Sequence, residues 1–233
     1  MSIVADLYQK KVVLVGPSPS LKDSGKLIDN YDYVVRMNSA LPVAEIDYED
    51  IGYRTDILIT GLADDYMSKH SKQLDYKDRI KDVYENIFLP AQDRGLKYIV
   101  TWPVKSTPFA EMQIEAFNEI NEVFEVINIP LDIYLNIRDA SRGEPNTGTL
   151  SIVYLLAFRL QELYVTGITY YADGYRVGYH PNITAEKSSE EGFRKDLQNN
   201  SGHRFNAQLS YLQQFRYPIF NPDAELRRVL KWD

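Results

Sequence analysis

Small polar residues cluster where apolar runs end, in two blocks far apart in the chain. In VVLVGPSPSLK the run 12–15 stops at Gly16, and a Pro/Ser loop with Ser18 and Ser20 follows; in YDYVVRMNSA the run 33–36 leads to Asn38. In EPNTGTLSIVYLLAFRLQELYVTGITYYADGY, Asn146, Thr147 and Gly148 stand where a turn becomes an apolar helix, and a further run, 163–166, ends on Gly167. Open α/β sheets bind ligands at the carboxyl ends of their strands. Each block therefore reads as half of a nucleotide site. The N–H groups and dipole of a helix opening at Thr147 favour an anion, and Gly148 allows backbone to approach it closely. Structural roles stand beside these: Asn38 can begin an Asx turn, and Thr147 can cap its helix.

Such groups need a sheet to position them. Short apolar runs at 12–15, 33–36, 56–60, 97–101, 126–129 and 163–166 alternate with helical stretches near 76–88 and 109–124. Parallel neighbours require crossovers, so this rhythm predicts an α/β fold: a Rossmann-like, doubly wound, mainly parallel sheet with helices on both faces. A last strand is expected at 216–220. After it, Asn221-Pro222-Asp223 offers an N-cap, a first-turn proline and an acid for a terminal helix. The stretch 173–203, rich in Gly, Ser, Asn and charge, reads as a lid beside the site. With 233 residues, 44% of them hydrophobic, residues 1–233 are expected to form a single domain around one core.

Composition removes several function classes. A net charge of −7 without clustered Lys and Arg argues against nucleic acid as a partner. The absence of cysteine excludes disulfides and thiolate zinc sites. No stretch resembles a signal peptide or approaches the roughly 20 apolar residues of a transmembrane segment. The expected location is cytoplasmic, with a peripheral place at a membrane surface as the alternative. Neither G-x-G-x-x-G nor G-x-x-x-x-G-K-[ST] is present, so dinucleotide and P-loop phosphate cradles are missing and an NAD-type oxidoreductase is disfavoured. There is also no D-x-D to hold a divalent cation against a sugar-nucleotide diphosphate, and no metal is expected. A donor carrying one phosphate escapes that need.

Taken in order, Gly16 to Lys22, Asp32 to Asn38, Pro145 to Gly148 and Gly202-His203 resemble the motifs of CMP-sialic-acid-dependent sialyltransferases. Arg36-Met37-Asn38, DIGYRTD (50–56) and PNTG are similar to the sialyl motifs of the glycosyltransferase family 29 type. GPSPSLK, GITYYADG and NNSGHRFNAQLSYL look more like the bacterial family 42 lipooligosaccharide sialyltransferases. The chain departs from the pattern at Pro17, where the family usually has a donor-holding Asn, at Gln208, where the animal type often has Glu, and in lacking the animal type's cysteines.

The resemblance implies a GT-A-like sialyltransferase variant of the Rossmann-like fold. It also implies a metal-independent, inverting glycosyltransferase of glycan biosynthesis, moving sialic acid, or a related 2-keto sugar acid such as Kdo, from CMP-sialic acid or CMP-Kdo to a glycan hydroxyl. The CMP-sugar is a substrate and no cofactor is expected. Departure of CMP leaves negative charge on its phosphate, so the site needs a donor to that phosphate and a base for the acceptor hydroxyl. Tyrosine donates while neutral at pH 7, and Tyr171 and Tyr175 are the candidates, with Tyr179 a third if the lid aligns differently. His203 matches the family's general base, and histidine has a useful neutral fraction at working pH. Gly16, Ser18, Ser20, Asn38, Asn146, Thr147, Gly148 and Gly167 are the expected donor-binding set, with Ser18 or Ser20 standing in for the missing Asn. Arg142 is a further candidate partner for a carboxylate, and His180 has a loop role or a catalytic one. The alternative reading is a catalytically weak CMP-sugar or glycan-binding module on the same fold.

Overall fold

The β-branched runs become strands because they can pack apolar side chains on both faces of a sheet. The computed structural model describes residues 2–61, 82–102, 124–176, 179, 191 and 204–232. Within them lie β1 (Lys11–Val15), β2 (Tyr33–Met37), β3 (Ile57–Ile59), β4 (Tyr98–Thr101), β5 (Glu125–Asn128), β6 (Glu162–Thr166) and β7 (Phe220–Pro222). They form one seven-stranded sheet in the order β5-β4-β3-β2-β1-β6-β7. Every pairing is parallel. From β1 the chain winds outward to β5, then returns to set β6 on the other side of β1. The winding reverses between β1 and β6, and the crevice outside the carboxyl ends there is where such sheets take ligands.

Helices cover both faces. They are α1 (Ile3–Leu7), α2 (Gly25–Asp29), α3 (Tyr48–Ile51), α4 (Leu89–Gln92), α5 (Leu131–Ser141), α6 (Thr147–Leu156), α7 (Phe205–Leu212) and α8 (Ala224–Leu230), with a π-helical turn at Tyr84–Phe88 leading into α4. Side chains alternate across a strand. Val12, Leu14, Val35, Met37, Ile57 and Ile59 therefore share one face, buried with Leu7 of α1, Ile137 of α5, Leu150 of α6, Leu212 of α7 and Leu226 of α8. On the other face Val13, Val15 and Val34 meet Ile28 of α2. Leu58 and Ile99 pack there with Phe88 and Ala91.

Two local expectations are corrected. The last strand does not occupy 216–220; it starts at Phe220 and continues through Pro222, because Leu163, Tyr164 and Val165 of β6 pair with Phe220, Asn221 and Pro222. Proline is tolerated on this edge strand, which has a neighbour on one side only. The ladder thus claims Asn221 and Pro222, and the cap of α8 falls to Asp223, whose Oδ1 accepts from Leu226 N at 2.8 Å. Helix α5 was not expected; it follows Pro130 and buries Tyr134 and Ile137. The helix expected at 109–124, all but its last residue Phe124, and most of the lid at 173–203 lie outside the described residues.

Candidate functional site

The two sequence blocks meet at the switch point. Gly16 N donates to Thr166 O at 2.8 Å, and Ser18 N donates to Gly167 O at 3.0 Å. The loops leaving β1 and β6 cross so closely that a Cβ on Gly16 would lie 2.2 Å from the Gly167 carbonyl oxygen. Gly167 itself has φ +70, a conformation glycine adopts at no steric cost. Its N–H is taken by Asp223 Oδ2 at 2.9 Å, which also accepts from Thr166 Oγ1 at 2.8 Å. Both glycines are thus accounted for by the crossing. Ser18 is buried, and its Oγ lies 2.7 Å from Ser20 Oγ and accepts from Ser20 N. Ser20 stands exposed at the loop surface.

Asn38 follows β2 with φ 49, in the left-handed region that Asn tolerates better than most residues. Its N–H is tied to Ile59 O at 2.8 Å. Among the described residues, its side-chain Oδ1 is buried without a hydrogen-bond partner. Leaving a buried acceptor unpaired costs about 1–3 kcal/mol, and a ligand donor placed there would recover it.

Opposite, the start of α6 is braced from several sides. Asn146 caps the helix by accepting from Thr149 N at 2.7 Å. Its own N–H donates to Gln208 Oε1 at 3.0 Å, while Gln208 Nε2 donates to Glu144 O at 2.8 Å. Tyr134 OH donates to the Glu144 carboxylate. Thr149 Oγ1 and Tyr170 OH lie 2.7 Å apart, both buried, and burial pushes the Tyr170 phenol up. Gly148 sits against Ile168, whose Cγ2 would be 3.3 Å from an added Cβ. A helix that precedes a parallel strand runs against it, so α6 presents the first-turn N–H groups of Thr147 and Gly148, ahead of the capped Thr149, toward the carboxyl ends of the strands.

The candidate tyrosines are gathered into a row. Tyr171 packs edge-on against Tyr175, with ring centroids 5.1 Å apart, and against Phe205 of α7 at 5.0 Å. Tyr175 stacks on Tyr179 at 5.4 Å. The row ends where Tyr179 OH donates to Met37 O at 3.2 Å, next to Asn38. On the Phe205 side a cleft of about 410 Å³ is lined by Thr169, Tyr170, Arg204, Phe205 and Asn206 among others. Arg142 lies apart from this network as the exposed, left-handed C-cap of α5, with no side-chain hydrogen bond or ion pair among the described residues. His180 and His203 lie outside the described residues. Among the described residues no group of three or more His, Asp or Glu is placed to hold a metal ion, and no helix is long and apolar enough to cross a membrane.

Three braces escaped sequence reasoning. Arg36 of the Arg-Met-Asn triplet is 1% exposed, and its guanidinium donates to Ile51 O, Gly52 O, Arg54 O and Thr55 Oγ1. Burial lowers its pKa to about 10. The triplet and the 50–56 phrase are thus one knot, with Asp56 accepting from both Val34 N at 2.7 Å and Arg54 Nη2 at 2.9 Å. Gln208 and Arg176 are the other two. Their partners lie 62 or more residues away in sequence, so no local pattern marks them.

The model of glycosyltransferase family 29 (sialyltransferase) matches residues 6–129, more than half of the chain. No curated protein matches. Among solved structures, an α-2,3-sialyltransferase from Campylobacter jejuni in apo form superposes with a TM-score of 0.54 at 13% identity, covering 94% of this chain and 78% of that one. The sialyltransferase CST-II in complex with CMP gives 0.50 at 17% identity, covering 96% and 79%. A mammalian sialyltransferase in complex with Gal-beta-1-3GalNAc-ortho-nitrophenol gives 0.45 at 15%, covering 82% and 66%. The chain thus spans just under two thirds of that mammalian chain. At these identities the structural likeness speaks for the fold.

Proposed function

The chain belongs to glycosyltransferase family 29, the sialyltransferases, and from that premise we propose that it transfers sialic acid from a CMP-activated donor to a glycan hydroxyl. The observation that carries this reading is the convergence at the switch point: the unpartnered Asn38 Oδ1, the capped start of α6 and the Tyr171–Tyr175–Tyr179 row. Asn38 Oδ1 offers an acceptor to a hydroxyl or amino group of the nucleoside. Thr147 and Gly148 offer backbone N–H groups to the donor's phosphate or carboxylate. Tyr171 and Tyr175 supply hydroxyls that donate to the departing phosphate, and His203 takes the proton from the acceptor hydroxyl. A single displacement with one base inverts the anomeric centre. These groups, rather than a metal, balance the charge that develops on CMP, and no cofactor enters.

The second reading is a CMP-sugar or glycan-binding module with weak turnover. Pro17 favours it, since this residue has no donor to give and its carbonyl is occupied by Arg176 N at 2.7 Å. Incubation with CMP-sialic acid and with CMP-Kdo separately, in EDTA and with a panel of galactosides and bacterial glycans, decides between them. Release of CMP from one donor is expected, with the product inverted by NMR, and His203→Ala should lower it by about 10²–10⁴ while CMP binding is kept. Binding of CMP without release would favour the module. Neither binding nor release would overturn both readings.

A further inference from the structure

Arg176 directly follows Tyr175, and its contacts reach two other parts of the chain. Its main-chain N–H donates to Pro17 O at 2.7 Å, and Nη2 donates to Leu21 O at 2.7 Å. Nη1 pairs with Asp47 Oδ1 at 2.9 Å and Asp50 Oδ2 at 3.2 Å. The three side chains are 11%, 22% and 17% exposed, so this is a largely enclosed ion cluster rather than a surface pair. The Lys22 ammonium, 2.7 Å from Asp50, holds that carboxyl low, at about 2, and keeps it anionic at working pH. Three residues further on, Tyr179 N donates to Arg176 O at 3.2 Å and its hydroxyl reaches Met37 O. Arg176 therefore pins the chain between two stacked tyrosines to the loop that leaves β1 and to α3 with its preceding turn.

We propose that Arg176 is a positioning residue: its fork across Asp47, Asp50 and the Leu21 carbonyl fixes the tyrosine row at the carboxyl edge of the sheet, beside Asn38. The proposal rests on the transferase reading for its consequence in catalysis and on geometry alone for the latch. A rigid fork suits the task, because a guanidinium can address a carbonyl and two carboxylates at once while an ammonium is a single point of charge. Tyrosines that act on a departing phosphate matter most in the transition state, so misplacing them lowers kcat more than it raises KM.

The test is Arg176→Ala, with Asp47→Ala/Asp50→Ala and the triple variant closing a cycle, read by kinetics and by hydrogen exchange. For Arg176→Ala we expect kcat per folded molecule to fall at least tenfold with the donor KM within threefold, and the acidic pair's variant to add little further loss. The amide at position 176 should lose at least tenfold protection, while those of β3 stay unchanged. A lower melting temperature with kcat retained would mean a merely structural tie and would overturn the proposal. Should the unaltered protein release no CMP, the transferase reading fails. The latch is then decided by exchange, and unchanged protection at position 176 overturns it.

Discussion

Asn38 combines a backbone task with an unfilled side-chain valence. Its φ of 49 suits glycine better than asparagine, yet its Oδ1 is buried and unpartnered among the described residues. Replacement by glycine separates the two. Asn38→Gly keeps the left-handed turn and removes the orphaned acceptor, so the thermal midpoint should hold within a few degrees. If the amide meets the nucleoside, the Kd for CMP should rise about tenfold, the worth of one hydrogen bond, which titration calorimetry reads directly. An unchanged Kd would remove Asn38 from the site. Residues of this kind were legible because their signals are local: an Asn at the end of an apolar run, a Tyr-rich turn after a strand. Arg176 was not, because the carboxylates it pairs with lie 129 and 126 residues away in sequence. Arg36 entered the sequence reading only as part of the Arg-Met-Asn triplet, and in space its guanidinium braces that motif from within.

At the scale of elements, the start of α6 is capped by Asn146, and the proposed transferase reading asks it to be an anion site as well. Asn146 Oδ1 is spent on Thr149 N, which leaves its side-chain NH2 as the group with donors to spare. Asn146→Asp retains an oxygen for the cap and places a charge where the helix dipole favours one, so stability should hold within about 0.5 kcal/mol, whereas Asn146→Ala should cost about 1 kcal/mol. The same Asp would repel an incoming phosphate, and CMP affinity should fall at least tenfold. Thermal melts and calorimetry on both variants check this, and full CMP affinity in the Asp variant would move the anion away from α6. Sequence located this helix to within one residue because its cap region and apolar run are contiguous, but the cap it offered, Thr147, is the first helical residue, and Asn146 caps instead. It misplaced the cap of α8, where Pro222 carries a first-turn signal but the β6 ladder claims it for the sheet edge, a tertiary demand that no local pattern reveals.

For the whole molecule, the strand order binds the two halves of the chain together. Apolar runs show that strands exist, and their rhythm shows that they are parallel, but nothing local to either block says that β1 and β6 are neighbours. Yet every residue of β1 from Lys11 to Val15 has a partner in β6 from Glu162 to Thr166. The segment matched by the family, residues 6–129, contains five strands but would leave β1 as an open edge with Val12 and Leu14 deprived of Leu163 and Val165. Helices α5, α6, α7 and α8, which cover one face, also belong to the second half. A fragment of residues 1–129 should therefore fail to melt cooperatively and should not bind CMP, because half of the crevice at Gly16 and Gly167 is missing. Co-expression with residues 130–233 should restore both, since β6 can reinsert between β1 and β7 without a covalent link. Circular dichroism and calorimetry on the fragment and on the reconstituted pair read the outcome. Cooperative folding of 1–129 alone would mean that the reversal of winding is an addition to a self-sufficient half, and the ligand crevice would then have to be sought within that half.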